Sequence, residues 1–180
     1  MFRLVPTLLA CSGVASAADL SVTTDVSIQE MLNANPGQLI FVPAGEYRST
    51  EKIRIRGEGA GVFGSGRIIQ QNPKQPIIEI EDAANAEVRG LTLARAAGKM
   101  ETNCEGVLAI RCRDLVIDNV RVIDNRTRSG GIALRECQGS RISRCLVRNY
   151  MRVSVDDRTG NDDWRYAFRC TDRTGISVSN

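Results

Sequence analysis

The chain has 180 residues, of which 42% are hydrophobic and 25% are charged, a balance that excludes an intrinsically disordered protein. Its formal net charge is only +3, and its 24 lysines and arginines form no dense run, which argues against a nucleic-acid-binding arm. It contains no histidine, so no mechanism that needs an imidazole base or ligand can operate within these residues.

Residues 1–17 have the features of an export signal. Arg3 supplies a short positive region, the apolar stretch LVPTLLA follows, and Ala15–Ala17 forms a small-residue cleavage site. The apolar stretch is too short to cross a bilayer, so we expect no membrane span. We therefore expect a secreted or periplasmic protein whose mature domain covers residues 18–180. Lipid attachment at Cys11, in the sequence LLAC, is the minor alternative.

The segment Val26–Gly37 predicts an amphipathic helix. Apolar residues recur there at helical spacing, and either Asp25 or Ser27 could be the N-cap, the latter forming a capping box with Glu30 three residues later. Pro36 would help to end the helix. The stretches that follow, QLIFVPAGEYRS and KIRIRGEGAGVFGSGRIIQQ, predict short strands separated by glycine turns. We expect the helix to cover the open end of the core that these strands begin.

From residue 78 onward the chain repeats one pattern of alternating apolar residues. The copies align on Val88, Ile117, Ile142 and Ile176, at intervals of 29, 25 and 34 residues. Alternation predicts strands, and a constant strand order with loops of variable length predicts a solenoid. The predicted fold is all-β: a right-handed parallel β-helix with a short N-terminal capping helix, in which like residues stack in successive turns.

The cysteines fit this repeat. Cys112, Cys137 and Cys170 are expected to share one position before a turn, and Cys145 to stand where the preceding copy has Val120. A buried free cysteine packs as a small hydrophobic residue, so we expect a reduced cysteine ladder in the core. A disulfide between stacked turns is the alternative, because the Cα distance would permit it.

Three features of the N-terminal third occur in the same order in a known family. The amphipathic helix, the strand end Val42–Tyr47 and the glycine-rich turn Gly57–Gly66 resemble the opening of the pectate-lyase-like family of secreted β-helix proteins. The resemblance implies the same fold across the mature chain. It implies activity only in outline, because the family includes lyases, hydrolases, epimerases and phage tailspikes.

The densest acidic stretch is VSVDDRTGNDDWRY, which we expect to form a loop that leaves the solenoid. Polysaccharide lyases of the family use an arginine or lysine as base and acidic ligands for Ca²⁺, and aromatic side chains often stack on sugar rings. The resemblance thus implies three sets of residues here, for catalysis, substrate binding and calcium binding. They are, respectively, Arg152, Asp157 and Arg158; Trp164, Arg165 and Tyr166; and Asp156, Asp162 and Asp163. The alternative is an ordinary solvated turn rich in Asp, Asn and Gly.

The sequence supports more than one function. The leading hypothesis is a secreted monomer that acts on an acidic polysaccharide, most like a lyase. The alternatives are a non-catalytic glycan-binding module and a uronan epimerase. A product with a new double bond would indicate the lyase, whereas no such product and no effect of Ca²⁺ would indicate the binding module. The final residues, GISVSN, match the middle of a repeat, so we also expect further turns after residue 180.

Overall fold

The computed structural model describes residues 27–127, 129–150, 153–154, 169–170 and 175–179. In this part of the chain, one helix is followed by nineteen short strands. In chain order these are α1 (Ile28–Ala34), β1 (Leu39–Val42), β2 (Glu46–Ser49), β3 (Ile53–Glu58), β4 (Gly61–Gly64), β5 (Arg67–Gln70), β6 (Ile78–Ala84), β7 (Glu87–Arg89), β8 (Thr92–Arg95), β9 (Glu101–Thr102), β10 (Val107–Ile110), β11 (Val116–Asp118), β12 (Arg121–Ile123), β13 (Arg126–Thr127), β14 (Ile132–Arg135), β15 (Arg141–Ser143), β16 (Leu146–Arg148), β17 (Val153–Ser154), β18 (Arg169–Cys170) and β19 (Ile176–Ser179).

Three five-stranded parallel sheets contain most of these strands. Sheet A has the order β1-β4-β7-β11-β15, sheet B has β2-β5-β8-β12-β16, and sheet C has β3-β6-β10-β14-β19. The chain visits A, B and C in that order in each turn, and each strand pairs with its equivalents one turn earlier and one turn later. The molecule is therefore a parallel β-solenoid of about four turns, which confirms the predicted fold class.

Like residues stack in register inside the solenoid, as the repeat predicts. Ile117 pairs with Val88 on one side and with Ile142 on the other. In sheet C, Val107 likewise pairs with Ile78 and with Ile132 of the neighbouring strands. Val88 and Ile117 are completely buried, so burial of these apolar ladders supplies the main stabilisation of the fold.

One part of the predicted alignment is wrong. Ile176 pairs with Ile132 in sheet C, not with Ile142 in sheet A. Short apolar alternation looks the same in every sheet, so a single partial copy cannot reveal which sheet it joins. Cys170 is also outside the predicted cysteine ladder, because its strand β18 pairs antiparallel with Val153–Ser154.

The N-terminal helix begins with the predicted capping box. The Ser27 hydroxyl accepts a hydrogen bond from the Glu30 amide, and the Glu30 carboxylate accepts one from the Ser27 amide. Ile28 and Leu32 are buried against the first turn, so the helix covers this end of the core. Across the described part of the chain, no helix has the length and apolar content that a membrane crossing requires.

The helix also protects the edge of sheet C. The backbone amide of Arg54, on the outermost strand β3, donates to Gln29 Oε1 at 2.7 Å, and Gln29 Nε2 donates to the Arg54 carbonyl at 3.3 Å. The Gln29 side chain thereby takes the place of a neighbouring strand at this residue, which blocks pairing with another chain.

Tight turns join sheets A and B and sheets C and A. One left-handed residue makes each A–B turn in the later part of the solenoid: Gly90, Asn119 and Arg144, with φ of 75°, 52° and 53°. The C–A turns have two such residues each: Asp82 with Asn85, Arg111 with Asp114, and Glu136 with Gly139. Because these turns keep a constant length, the variation in repeat length falls in the connections from sheet B to sheet C.

Candidate functional site

The site predicted from the sequence lies in the last connection from sheet B to sheet C, between β16 and β19. Strands β17 and β18 pair antiparallel, so the chain enters and leaves residues 155–168 side by side. The predicted side chains themselves are outside the described residues: Arg152, Asp156, Asp157, Arg158, Asp162, Asp163, Trp164, Arg165 and Tyr166. Their roles stay predictions.

Within the described residues, exposed arginines lie on the later strands of sheets A and B and in the turn that joins them. We call this cluster the arginine face, and it consists of Arg89, Arg121, Arg141, Arg144 and Arg148. They lie on or beside strands β7, β12, β15 and β16, whose neighbours in each sheet are about 4.8 Å apart. Sheet stacking thus brings together residues that are far apart in the sequence.

Positive charge exceeds negative charge on this face. On the strands of sheets A and B from β7 to β16, the carboxylates are those of Glu87 and Asp118. Glu87 Oε1 is 2.9 Å from Arg89 Nη2, and Asp118 Oδ1 accepts a hydrogen bond from Arg144 Nε at 3.0 Å. Asp124, which directly follows β12, is a third carboxylate in this region, so five arginines against three carboxylates leave an excess of two positive charges.

The two carboxylates on the strands, Glu87 and Asp118, are paired with arginines of this face. Hydrogen bonds from Arg144 and then from Ser143 lower the pKa of Asp118 to about 2, so this carboxylate is ionised at neutral pH. By contrast, Arg121, Arg141 and Arg148 form no ion pair with any residue in the described ranges. Their guanidinium groups are exposed and can bind carboxylates in the bidentate geometry that arginine favours.

A buried arginine, which is not part of the arginine face, binds the connections from sheet B to sheet C. Arg95 is only 4% exposed and donates to Asn125 Oδ1 at 2.6 Å, to the Asn72 carbonyl at 2.8 Å and to the Glu105 carbonyl at 3.3 Å. These acceptors belong to three successive connections. Burial lowers the pKa of Arg95 to about 10, so the side chain is still a cation at neutral pH. Arg95 therefore fixes the three connections to one another.

The carboxylate nearest to this buried arginine has another partner. Glu105 Oε1 is 2.5 Å from Arg135 Nη2, and the Glu105 side chain is 5% exposed while that of Arg135 is 47% exposed. The pair joins a residue just before β10 to the last residue of β14, and it links the interior of the connections to the surface.

The sequence leaves open whether the arginines are scattered surface charge or line a face for an acidic polymer, and the predictions from it include neither the particular arginines of the arginine face nor the burial of Arg95. The repeat gives no signal for the surface arginines, because they occupy different strand positions: Arg89 ends β7, Arg121 begins β12, Arg141 begins β15 and Arg148 ends β16. The alternation in β8, by contrast, does indicate that Arg95 is buried. Arg95 follows the buried Leu93 by two residues, so both side chains point to the same inner side of the strand.

A cleft of about 560 Å³ beside the N-terminal helix also has basic residues in its lining, including Lys52, Arg54 and Arg56. These cations are neutralised: Lys52 Nζ is 2.6 Å from Glu79 Oε2, and Arg56 Nη2 is 2.6 Å from Glu81 Oε2. The cleft therefore offers less free positive charge than the arginine face.

No cluster of three or more His, Cys, Asp or Glu side chains suited to a metal ion occurs in the described ranges. The calcium ligands predicted from the sequence, Asp156, Asp162 and Asp163, are outside those ranges. The calcium site thus rests on the sequence pattern alone.

Comparison with known proteins identifies no family for this chain. No protein-family model matches it, and no curated protein sequence matches it. A solved structure of a candidate glycosyl hydrolase from Parabacteroides merdae ATCC 43184 is similar over 79% of this chain and 78% of that chain, with 14% identity and a TM-score of 0.43. A similarity of this size carries no conclusion about function.

Proposed function

We propose that the protein binds an acidic polysaccharide along the arginine face. The observation that carries this proposal is the set of three exposed arginines, Arg121, Arg141 and Arg148, that form no close ion pair in the described part of the chain. Exposed guanidinium groups on a rigid scaffold bind carboxylates through charge-assisted, bidentate hydrogen bonds. A polymer with a carboxylate on each sugar can engage several of them at once.

The solenoid suits an extended ligand. Each turn adds a strand about 4.8 Å from its neighbour, a spacing comparable to the length of one sugar residue in an extended chain. Arg121 lies on β12, Arg148 on the adjacent β16, and Arg141 on β15 of the neighbouring sheet. Carboxylates along an extended chain can thus meet cations on neighbouring strands, and the summed weak contacts give useful affinity.

Lyase-like action on the bound chain is the second part of the proposal. It rests on the sequence of residues 152–166, where an arginine base would remove the proton next to a uronate carboxylate while the glycosidic C–O bond breaks and a double bond forms. The same segment contains the acidic residues proposed to bind Ca²⁺. Glycan binding without catalysis is supported by the arginine face alone and is the alternative.

Binding can be tested with polygalacturonate and alginate as acidic ligands and dextran as a neutral one. We expect the triple variant Arg121→Gln/Arg141→Gln/Arg148→Gln to bind the acidic polymers roughly 10- to 100-fold more weakly, with a smaller dependence on salt. The matched control is Arg48→Gln/Arg54→Gln/Arg67→Gln, which removes the same charge from the first two turns. Equal losses in both variants, or tight binding of dextran, would contradict the proposal.

Catalysis needs a separate measurement. Incubation of the protein with polyuronates, with and without Ca²⁺, should release products that absorb ultraviolet light because of their new double bond. Chelation should abolish that product if the acidic segment binds calcium. Retained binding without any such product would support the binding module instead of the lyase.

A further inference from the structure

Cys112 and Cys137 occupy equivalent positions in two successive turns, at the corner between sheets C and A. Arg113 and Gln138, the next residues, form a parallel bridge, and the Gln138 amide donates to the Cys112 carbonyl at 2.9 Å. The two cysteines are therefore stacked, with Cα atoms one strand spacing, about 4.8 Å, apart. Disulfides join cysteines whose Cα atoms are about 4.4–6.8 Å apart, so this separation is within the range that a disulfide spans.

The two side chains also have the same orientation. Cys112 Sγ donates to the Ile110 carbonyl and Cys137 Sγ donates to the Arg135 carbonyl, each at 3.3 Å and each two residues back along the chain. The residue before each cysteine is left-handed, with φ of 52° and 53°. This constrained turn holds both thiols on the same side of the stacked strands.

No other described cysteine has such a neighbour. Cys145 stacks on Val120, and Cys104 lies in a connection from sheet B to sheet C. Cys112 is completely buried, whereas Cys137 is half-buried. Burial, and after it the adjacent Cys137, raises the pKa of the Cys112 thiol, so Cys137 is the thiol that an external reagent meets first.

We infer that Cys112 and Cys137 are a redox-active pair that closes to a disulfide joining two turns of the solenoid. The Cys137 thiolate attacks one sulfur of a low-molecular-weight disulfide and releases one thiol. Cys112 then loses its proton to water and attacks the Cys137 sulfur, which releases the second thiol. The protein loses two electrons and two protons, and the low-molecular-weight disulfide, which is the oxidant, is reduced to two thiols.

The bond would fasten two turns that otherwise separate when the solenoid opens. It closes a ring that contains one complete turn of the chain, including strands β11, β12 and β14. Such a link restricts the unfolded chain and so raises the stability of the folded one. This inference is independent of the proposed glycan binding, because neither cysteine belongs to the arginine face.

Peptide mapping of the full chain tests the inference. The protein is incubated with oxidised glutathione, its free thiols are alkylated, and it is cleaved with trypsin. We expect the dipeptide Cys112-Arg113 joined to the peptide that runs from Glu136 to Arg141, two hydrogen atoms lighter than the separate peptides, together with a higher melting temperature. Reduction should reverse both changes. Alkylation of both cysteines, or glutathione retained on Cys137 alone, would overturn the inference.

Two variants provide matched controls. Cys137→Ala should lose the linked peptide and the rise in melting temperature, and alanine fits this position because Ala83 occupies it two turns earlier. Cys145→Val should retain both, because Val120 occupies the equivalent position one turn earlier. A rise in melting temperature that persists in Cys137→Ala would contradict the pairing. If Cys137→Ala does not fold, the peptide map of the natural chain still decides.

Discussion

The first two turns of the solenoid and its later turns share a backbone geometry, but they differ in how their surface arginines are paired with carboxylates. Every arginine of the first two turns lies within 3.9 Å of a carboxylate; these are Arg48, Arg54, Arg56 and Arg67. Arg121, Arg141 and Arg148 of the later turns have no such partner in the described ranges. Stacking constrains the inward residues and leaves the outward ones free. The fold is thus determined by one set of positions, and the charge of each face by another.

The strongest test of this comparison concerns the inward positions. Ile117 is completely buried between Val88 and Ile142, whereas Ile142 belongs to the last described turn of sheet A and is only half-buried. We expect Ile117→Ala to lower the free energy of unfolding by about 4 kcal/mol and Ile142→Ala by roughly half as much. Urea denaturation measures both. Equal losses would mean that the last turn is packed as tightly as the inner ones.

The buried arginine should have the next largest effect. Arg95→Ala leaves Asn125 Oδ1 and two backbone carbonyls without their donor, so we expect a loss of about 3 kcal/mol in the free energy of unfolding. Arg121→Ala, which removes an exposed arginine, should change it by less than about 0.5 kcal/mol. If the two variants are equally stable, Arg95 does not hold the connections together in solution.

How far the sequence predicts this molecule depends on the type of position. The ladder of Val88, Ile117 and Ile142 follows from alternation and repeat length, because each inward residue must be apolar. The register of Ile176 does not follow, since the connection before it has no fixed length. The arginine face cannot be predicted from the sequence either. Outward residues obey no stacking rule, and they become neighbours only after the sheets form.

The N-terminal cap should contribute less than the core. Ser27→Ala removes the hydroxyl that accepts a hydrogen bond from the Glu30 amide, so we expect the free energy of unfolding to fall by about 1 kcal/mol. Ser65→Ala, at an exposed serine in a turn, is the control and should be neutral. An equal effect at both serines would show that the capping box does not stabilise the first turn.

The smallest expected effect on stability concerns Asp118, which partly neutralises the arginine face. Its pKa is about 2 in the folded protein and near 3.8 without its partners. Because the folded pKa is lowered, its stabilising contribution is complete above about pH 5 and is lost progressively as the pH falls through 2. The stability difference between the natural chain and Asp118→Asn should therefore shrink over that interval.

The same substitution separates the two regions by charge. At neutral pH, Asp118→Asn frees Arg144 and adds one positive charge to the arginine face, so polygalacturonate should bind more tightly. Glu81→Gln also removes a carboxylate that is paired with arginine, but it does so on sheet C, away from that face. It should leave the affinity unchanged if the ligand contacts only the arginine face. Equal gains in the two variants would mean that binding follows the net charge of the whole molecule, because only a localised contact can distinguish carboxylates by their position.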